Sequence, residues 1–171
     1  MKHKRIMIAG CSGSGKSTFA RQLAAVIDLP LIHLDQEYWQ PGWVEPSKEW
    51  WRQKVSELVK RDQWIMDGNY SGTWDLRLPE ADLVIYLCYP LWLILWRATK
   101  RQFRFRGTVR PDMAPGCPER FNWAFYHFVA RCYFTRKQNH LRRLENLGGN
   151  PEVLIFRRPS QLERWLRVQQ G

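Results

Sequence analysis

Three features that would place the chain in a secreted or membrane class are missing from the sequence. The four cysteines lie far apart and include no C-x-x-C pair, so neither a zinc site nor a disulfide framework is indicated. The basic residues 1–5 precede an apolar run that is too short for a signal peptide. The uncharged residues 83–96 are shorter than a membrane span, and Pro90 divides them. We therefore expect a cytoplasmic protein that makes no membrane contact.

Acidic residues are scarce in one segment only. The 171-residue chain has a net charge of +11, and residues 1–96 hold 11 basic and 11 acidic residues, whereas residues 97–143 hold 12 and 2. The positive excess is local, which predicts a site for anions rather than a uniformly basic surface. A hydrophobic content of 44% in a chain of this length predicts one globular domain over residues 1–171. No stretch specifies a subunit interface, so the oligomeric state stays open.

A phosphate-binding loop is the strongest motif. Residues 10–17 read GCSGSGKS and fit the pattern G-x-x-x-x-G-K-[ST] without a mismatch. An apolar run at residues 5–9 predicts a strand before it, and the helical spacing of residues 17–27 predicts a helix after it. A glycine-rich turn that fits by chance would have no reason to lie between a strand and a helix.

Each residue type in this loop suits the binding of Mg-ATP. Glycines let successive backbone N–H groups face a phosphate at the positive end of the helix. Lys16 adds a charge on the terminal phosphates, and the Ser17 hydroxyl can ligate Mg²⁺. The predicted nucleotide-binding residues of the loop are Gly10, Ser12, Gly13, Ser14, Gly15, Lys16, Ser17 and Thr18.

Strands alternate with helices along the rest of the chain. Apolar runs predict further strands at residues 31–34, 64–68, 83–87 and 153–156. Helical spacing and capping signals predict helices at residues 48–61, 91–105, about 119–146 and 160–168, the last opened by a capping box at 160–163. Residues 119–146 form either one long helix or two shorter ones. This alternation predicts an α/β protein whose parallel sheet is covered on both faces.

Two acids lie where predicted strands end. Asp67 can supply an oxygen ligand to a metal on the nucleotide phosphates, or it is a turn-forming Asp-Gly. Asp35 can act as a base that orients an acceptor hydroxyl, or it is an ordinary loop acid. We also interpret His33, His127 and His140 as structural, because their spacing suggests neither a metal site nor a triad.

The basic segment contains an ordered group of arginines. Arg97, Arg101 and Arg104 share a helix face by their spacing, and arginines placed over phosphates stabilise the charge of phosphoryl transfer. Proline and glycine in the following residues, about 104–120, predict a mobile basic lid. The alternative is a solvated charged face. For Cys11, inside the phosphate loop, local positive charge could lower the pKa of the thiol, but a small filling residue is the preferred interpretation.

These residues together resemble the adenylate-kinase-like P-loop kinases, and more narrowly the DNA topology modulation (FlaR-type) family. The resemblance covers most of the chain. The residues that carry it are Gly10 to Ser17, Leu34-Asp35 with Tyr38-Trp39, Asp67 to Tyr70, Arg77 with Ala81-Asp82, Pro90 to Trp92, and Arg97 with Arg101.

The resemblance implies a five-stranded parallel sheet in the order 2-3-1-4-5, an acceptor region at residues 36–61 and a lid after strand four. It also implies that Arg157 and Pro159 belong to the loop that packs on adenine. Asp35, Trp39 and Arg77 would bind the acceptor. The sequence departs from adenylate kinases at Ser71, which stands where those enzymes carry an arginine that holds the acceptor's phosphate.

Two functions follow as hypotheses. The first is a Mg-dependent kinase that moves the γ-phosphoryl group of ATP to a small acceptor, with Lys16, Asp35, Asp67, Arg97 and Arg101 as catalytic residues and Ser17 and Asp67 at the metal. The second is a nucleic-acid-binding protein with a regulatory ATP site, or a kinase of oligonucleotide ends, because segment 97–143 interleaves basic residues with aromatics. Helical spacing favours core positions for most of those aromatics.

Overall fold

Five strands form one parallel sheet in the order β2-β3-β1-β4-β5, as expected. A computed structural model describes residues 2–169. The strands are β1 (Arg5–Gly10), β2 (Leu31–His33), β3 (Trp64–Asp67), β4 (Leu83–Leu87) and β5 (Glu152–Phe156). All four pairings are parallel, so every strand presents its carboxyl end at the same edge, where ligands bind in open α/β sheets.

The helices connect the strands and cover both faces of the sheet. They are α1 (Lys16–Ile27), α2 (Leu34–Tyr38), α3 (Lys48–Leu58), α4 (Trp74–Arg77), α5 (Leu91–Arg104), α6 (Trp123–Glu145) and α7 (Pro159–Val168). A single 3-10 turn, Ser71–Thr73, precedes α4. Together they complete the three-layer α/β/α arrangement that the alternating pattern predicts.

Neighbouring residues of each central strand pack on opposite faces of the sheet, because side chains alternate along a strand. Ile6 and Ile8 of β1 join a core with α1, α5 and α7, while Met7 and Ala9 join a core with α3 and α4. Helix α6 contributes to both cores, so it passes from one side of the sheet to the other beside the edge strand β5. Two buried faces explain why these strands are apolar throughout.

Three predicted element boundaries are wrong. Helix α6 begins at Trp123, where the Asn122 side chain accepts from the Ala124 N–H, and not at residue 119. The capping box of the last helix lies at residues 158 and 161 and not at 160–163, because this helix begins earlier, at Pro159, and the Gln161 side chain accepts from the backbone N–H of residue 158. Asp35 lies in the first turn of the short helix α2 and not at the end of a strand.

The predicted lid, between α5 and α6, is packed against the loop that follows α2. Met113, Ala114 and Cys117 form a small apolar cluster with Trp39 and Trp43. The backbone N–H of residue 42 donates to the carbonyl of residue 116 at 2.9 Å. The mobility of this segment stays a prediction. Among residues 2–169, the helices include none whose length and apolarity would allow it to cross a membrane.

Candidate active site

The phosphate loop lies between β1 and α1, as predicted, and its backbone is shaped by close approaches. Gly10 has φ +143°, and a Cβ there would lie 2.6 Å from the Leu87 carbonyl oxygen. Gly13 has φ +88°, and a Cβ there would lie 2.6 Å from the Ile94 carbonyl oxygen. No L side chain fits either place, so β4 and α5 hold the loop from behind. The loop therefore forms a cradle at the N-terminus of α1, which suits phosphate groups.

Two cations lie on this loop. The Lys16 Nζ donates to the Cys11 carbonyl at 3.0 Å, and the Arg97 Nη1 donates to the Ser14 carbonyl at 2.9 Å. The Arg97 guanidinium also lies over the Tyr89 ring, 5.3 Å from its centroid, which fixes it against the loop. Arg97 therefore lies against the phosphate loop, and its role in binding the nucleotide stays a prediction.

Burial, rather than the charge of Lys16, dominates at Cys11. It raises the pKa of the thiol, with Lys16 acting in the opposite direction. The interpretation of Cys11 as a small filling residue therefore agrees with the structure, and a lowered pKa is wrong. The other predicted nucleotide ligands remain predictions: Ser12 and Ser17 are partly exposed on the loop, Thr18 is exposed, and Arg157 and Pro159 follow β5.

His33 and Asp67 meet at the carboxyl ends of β2 and β3. The two residues are Cα partners in the parallel register, and the His33 Nδ1–H donates to Asp67 Oδ2 at 2.9 Å, with both side chains buried. The other oxygen, Asp67 Oδ1, is buried and has no hydrogen-bond partner among residues 2–169. Such an atom is expensive to leave unsatisfied, so it is suited to a metal or its water ligands.

Asp35 receives a hydrogen bond from Tyr70. The Tyr70 hydroxyl donates to Asp35 Oδ1 at 2.7 Å. Burial raises the pKa of Asp35, the Tyr70 hydroxyl partly offsets this, and the charge of Asp67 adds to the rise. Burial, together with Asp35, holds the pKa of Tyr70 far above its ordinary value, so its hydroxyl stays a donor. A half-buried carboxylate with a raised pKa is suited to accept a proton from a hydroxyl group.

Arg77 has a different environment from the one predicted for an acceptor ligand. Its side chain has no exposed surface, and it donates to the carbonyls of residues 68, 69 and 70 at 2.9, 2.5 and 3.0 Å. The turn that it braces includes Tyr70 at φ +29°, a conformation that is strained for a residue with a side chain. Arg77 therefore braces the turn that carries Tyr70, and its role as a direct acceptor ligand stays a prediction.

The lid brings an ion-pair network to the site. Glu119 Oε1 lies 3.0 Å from Arg101 Nε and 2.8 Å from Arg110 Nε, and Arg110 Nη1 donates to Asp112 Oδ2 at 2.7 Å. Burial opposes ionisation of Asp112, but the charge of Arg110 and the nearby Ser17 hydroxyl outweigh it, and the pKa of Asp112 is lowered. The lid thus reaches the phosphate loop through an acid, not only through arginines.

Aromatic rings form a wall beside Asp35, which we call the aromatic wall: Tyr38, Trp39, Trp43, Trp51 and Tyr70. Ring centroids are separated by 5.1 Å for Tyr38 and Trp39, 5.3 Å for Trp39 and Trp43, and 4.8 Å for Tyr38 and Tyr70. The wall extends from Asp35, which Tyr70 contacts, to the lid, because Trp39 and Trp43 pack against the lid cluster of Met113, Ala114 and Cys117. The predicted acceptor region thus gains ring surface beyond Trp39.

Four residues of the site were missed as functional candidates: His33, Tyr70, Asp112 and Glu119. His33 was interpreted as structural, but the parallel register could have paired it with Asp67 once both strands were predicted. The two acids are the only acidic residues among residues 97–143, and acids in so basic a segment signal ion pairs. The interpretation of His140 as structural agrees with its burial beside Trp74 and Tyr86.

No protein-family model and no curated protein matches the chain. Solved structures do match its fold along nearly its whole length. A shikimate kinase from Acinetobacter baumannii in complex with shikimate has a TM-score of 0.57 and 14% identity, over 98% of this chain and 93% of that one. A gluconokinase from Sinorhizobium meliloti 1021 matches with a TM-score of 0.55 and 17% identity, over 98% of this chain and 89% of that one.

A deoxyadenosine kinase from M. mycoides with bound dATP matches with a TM-score of 0.52 and 14% identity, over 99% of this chain and 100% of that one. At these identities the likeness establishes the fold, which is that of the P-loop kinases. The narrower resemblance to the FlaR-type family stays a prediction, because no family model supports it.

Proposed function

We propose that the protein is a Mg-dependent kinase that transfers the γ-phosphoryl group of ATP to a hydroxyl group of a small acceptor. The observation that carries this proposal is that Asp35, held by Tyr70, lies at the same edge of the sheet as the phosphate cradle. A base for a hydroxyl beside a site for phosphates is the arrangement that phosphoryl transfer requires. Solved structures with this fold include kinases of shikimate, gluconate and deoxyadenosine by their names, which supports the class of reaction.

The residues present fit Mg-ATP. The cradle formed by residues 10–17 has room only for glycine at its turns, and the buried Asp67 Oδ1 is an oxygen in need of a partner. Ser17 and Asp67 would hold Mg²⁺, directly or through water, while Lys16 would meet the terminal phosphates. Bound Mg²⁺ would neutralise phosphate charge as the reaction proceeds.

Different residues of the chain have different roles in the phosphoryl transfer. Asp35 accepts the proton of the acceptor hydroxyl, since its raised pKa makes it a stronger base than an ordinary aspartate. Lys16 and Arg97, already on the loop, stabilise negative charge on the transferring group. Arg101 lies one helical turn further, tied to the lid by Glu119, so it couples lid position to the phosphate site. A packed lid limits water that would compete with the acceptor.

The test is ADP release from Mg-ATP with pooled nucleosides, nucleotides and hydroxylated metabolites, in the wild-type protein and in Lys16→Ala. We expect one pool to stimulate release in the wild type only. Lys60→Ala, an exposed lysine of the same chain, is the matched control and should keep full activity. Equal stimulation in wild type and Lys16→Ala would contradict the proposal.

A second function is favoured by the surface of α5 and α6. Large aromatic side chains are exposed there: Trp92, Trp96, Phe103, Phe121, Trp123, Phe128 and Phe134. The expectation that most aromatics of segment 97–143 lie in the core is wrong, because periodicity identifies a face of a helix but not its direction. Both acids of that segment are buried, so its exposed charges are basic.

Exposed rings and basic side chains without exposed acids suit single-stranded nucleic acid, through stacking and phosphate contacts. The Trp96 and Trp123 rings are 57% and 76% exposed. Trp96→Ala and Trp123→Ala should each weaken binding of a labelled single-stranded oligonucleotide by about 5- to 100-fold, as measured by fluorescence anisotropy. Trp50→Ala on α3, 45% exposed, should leave binding unchanged. Absence of binding at low salt would remove this function.

A further inference from the structure

Two acids lie where β2 and β3 end, at the acceptor side of the site. Asp67 is the last residue of β3, and Asp35 lies in the first turn of α2, directly after β2. The lid adds Asp112 and Glu119, whose side chains are 7% and 5% exposed. An acceptor that carries its own phosphate or carboxylate would therefore be placed among like charges, which is unfavourable in a site with little water.

The arginines that could offset those charges are already engaged. Arg110, 6% exposed, lies between Asp112 and Glu119, and Arg101 shares Glu119 with it. Arg77 is buried and gives its donors to backbone carbonyls. An anionic acceptor could therefore bind Arg101 or Arg110 only by breaking a buried ion pair, and Arg77 only by taking its donors from backbone carbonyls, and both are unfavourable.

The remaining cations belong to the nucleotide side. Lys16 and Arg97 both donate to carbonyls of the phosphate loop itself. Because these two cations would bind the phosphates of the donor, they could not also bind an anionic group of the acceptor. The loop therefore keeps its cations for the donor, whereas in the lid the charges of Arg101 and Arg110 are matched by those of Glu119 and Asp112.

Aromatic rings, rather than charged side chains, provide the surface that can bind the acceptor. Tyr70 connects the aromatic wall to the reacting carboxylate, since its hydroxyl donates to Asp35 and its ring lies 4.8 Å from that of Tyr38. Trp39 and Trp43 extend the wall to the lid and are only partly buried. Flat aromatic faces bind the apolar face of a ring by stacking or close packing.

We infer that the phosphoryl acceptor is an uncharged ring compound with a free hydroxyl, such as a nucleoside, and not a phosphate- or carboxylate-bearing molecule. This inference rests on the proposed kinase function and names its substrate class. The hydroxyl lies toward Asp35, and the ring lies on the aromatic wall under the lid. The hydroxyl proton passes to Asp35 as the acceptor oxygen bonds to the γ-phosphorus, and ADP leaves with the electrons of the broken bond.

The test compares kcat/KM for acceptors that differ by one charge, with Mg-ATP as donor: deoxyadenosine against its 5′-monophosphate, and methyl shikimate against shikimate. We expect each neutral member to be preferred by at least about 100-fold, because like-charge juxtaposition costs several kcal/mol. Preference for the charged member of both pairs, or no turnover of either neutral member, overturns the inference.

A variant tests the cause of the preference. Glu119→Gln releases Arg101 and Arg110 from their shared partner, so the preference for the neutral member should fall at least about tenfold. The control Glu57→Gln, an exposed acid on α3, should keep the wild-type ratio. An unchanged ratio in a Glu119→Gln protein that unfolds at the wild-type temperature contradicts the proposed cause. If that variant does not fold, the inference is tested by the wild-type ratios of kcat/KM for the two pairs of acceptors.

Failure of the inference can be separated from failure of the proposed function. Isothermal titration with Mg-ATP, in wild type and Lys16→Ala, reports on the nucleotide site without any acceptor. Lys16-dependent ATP binding together with turnover of charged acceptors only overturns the substrate class and keeps the kinase. Turnover of no acceptor and binding of no ATP overturns both.

Discussion

The phosphate loop and the acceptor side occupy the same edge of the sheet but are built in opposite ways. The loop is eight consecutive residues, 10–17, shaped by backbone conformation and positive charge. The acceptor side joins residues from β2, α2, the turn after β3 and the lid, and it depends on ion pairs and rings. A short motif can therefore specify one half of the site, whereas the other half exists only after the chain has folded.

The two halves of the site also use different kinds of contact. The loop offers backbone N–H groups to any nucleotide, so its chemistry is general. The proposed acceptor side has carboxylates and aromatic rings, which would discriminate by charge and shape. Catalytic competence and acceptor choice should therefore respond to different substitutions.

The largest effect is expected at the base. Asp35→Asn keeps the size of the side chain but removes its basicity, so kcat should fall by about 10²- to 10⁴-fold. Titration calorimetry should give nearly the wild-type affinity for Mg-ATP, because the loop is untouched. Asp62→Asn, an exposed acid, serves as the control. A wild-type kcat in Asp35→Asn would remove Asp35 from the reaction.

The second-largest effect is expected at Arg77, where it distinguishes a bracing role from direct binding of the acceptor. Arg77→Met leaves three carbonyls without their donor, one in a buried and two in part-buried hydrogen bonds, so the free energy of unfolding should fall by about 3 kcal/mol in a urea titration. Arg61→Met, at an exposed position, should change it little. If Arg77→Met raised only the KM for the acceptor and kept wild-type stability, the bracing role would be wrong.

The phosphate half is tested by adding one methyl group. Gly13→Ala introduces a side chain at φ +88°, 2.6 Å from a carbonyl oxygen, so the affinity for Mg-ATP should fall by about 10- to 100-fold. Gly72→Ala, where a Cβ meets no atom of residues 2–169 within 4 Å, is the matched control. Equal affinities in the two variants would show that the close approach of the loop to α5 is unimportant for nucleotide binding.

The smallest effect is a shift of the pH profile. Asp35 must be ionised to act as a base, so kcat/KM should fall as the pH drops through its pKa, and burial places that fall above the range of an ordinary aspartate. The Tyr70 hydroxyl stabilises the carboxylate and lowers this pKa. Tyr70→Phe should therefore move the acidic limb to higher pH. A limb that stays in place, or moves to lower pH, contradicts the assignment.

The fold could be predicted from the sequence because its signals are local. Apolar runs with turn residues between them marked all five strands, and the loop motif fixed where β1 ends and α1 begins. The boundaries that were wrong depend on single caps: Asn122 opens α6, and Gln161 caps α7 from within the helix. Such choices are decided by small differences in capping energy.

The acceptor side could be predicted only in part. Asp35 and Trp39 were expected there, but Tyr70 reaches Asp35 across 35 positions of the chain, and no spacing rule covers that distance. Arg77 is expected at the acceptor only because the resemblance to adenylate-kinase-like P-loop kinases implies it. Its burial against three carbonyls follows from the turn at residues 68–70, whose conformation is settled by tertiary packing.

The most direct test of phosphoryl transfer is to follow the γ-phosphoryl group of labelled ATP into products, with deoxyadenosine or methyl shikimate as the acceptor. The account predicts that label enters the acceptor in the wild-type protein and that Asp35→Asn loses this transfer while it still binds Mg-ATP. Label that appears only as inorganic phosphate, at one rate with and without every acceptor, would contradict it.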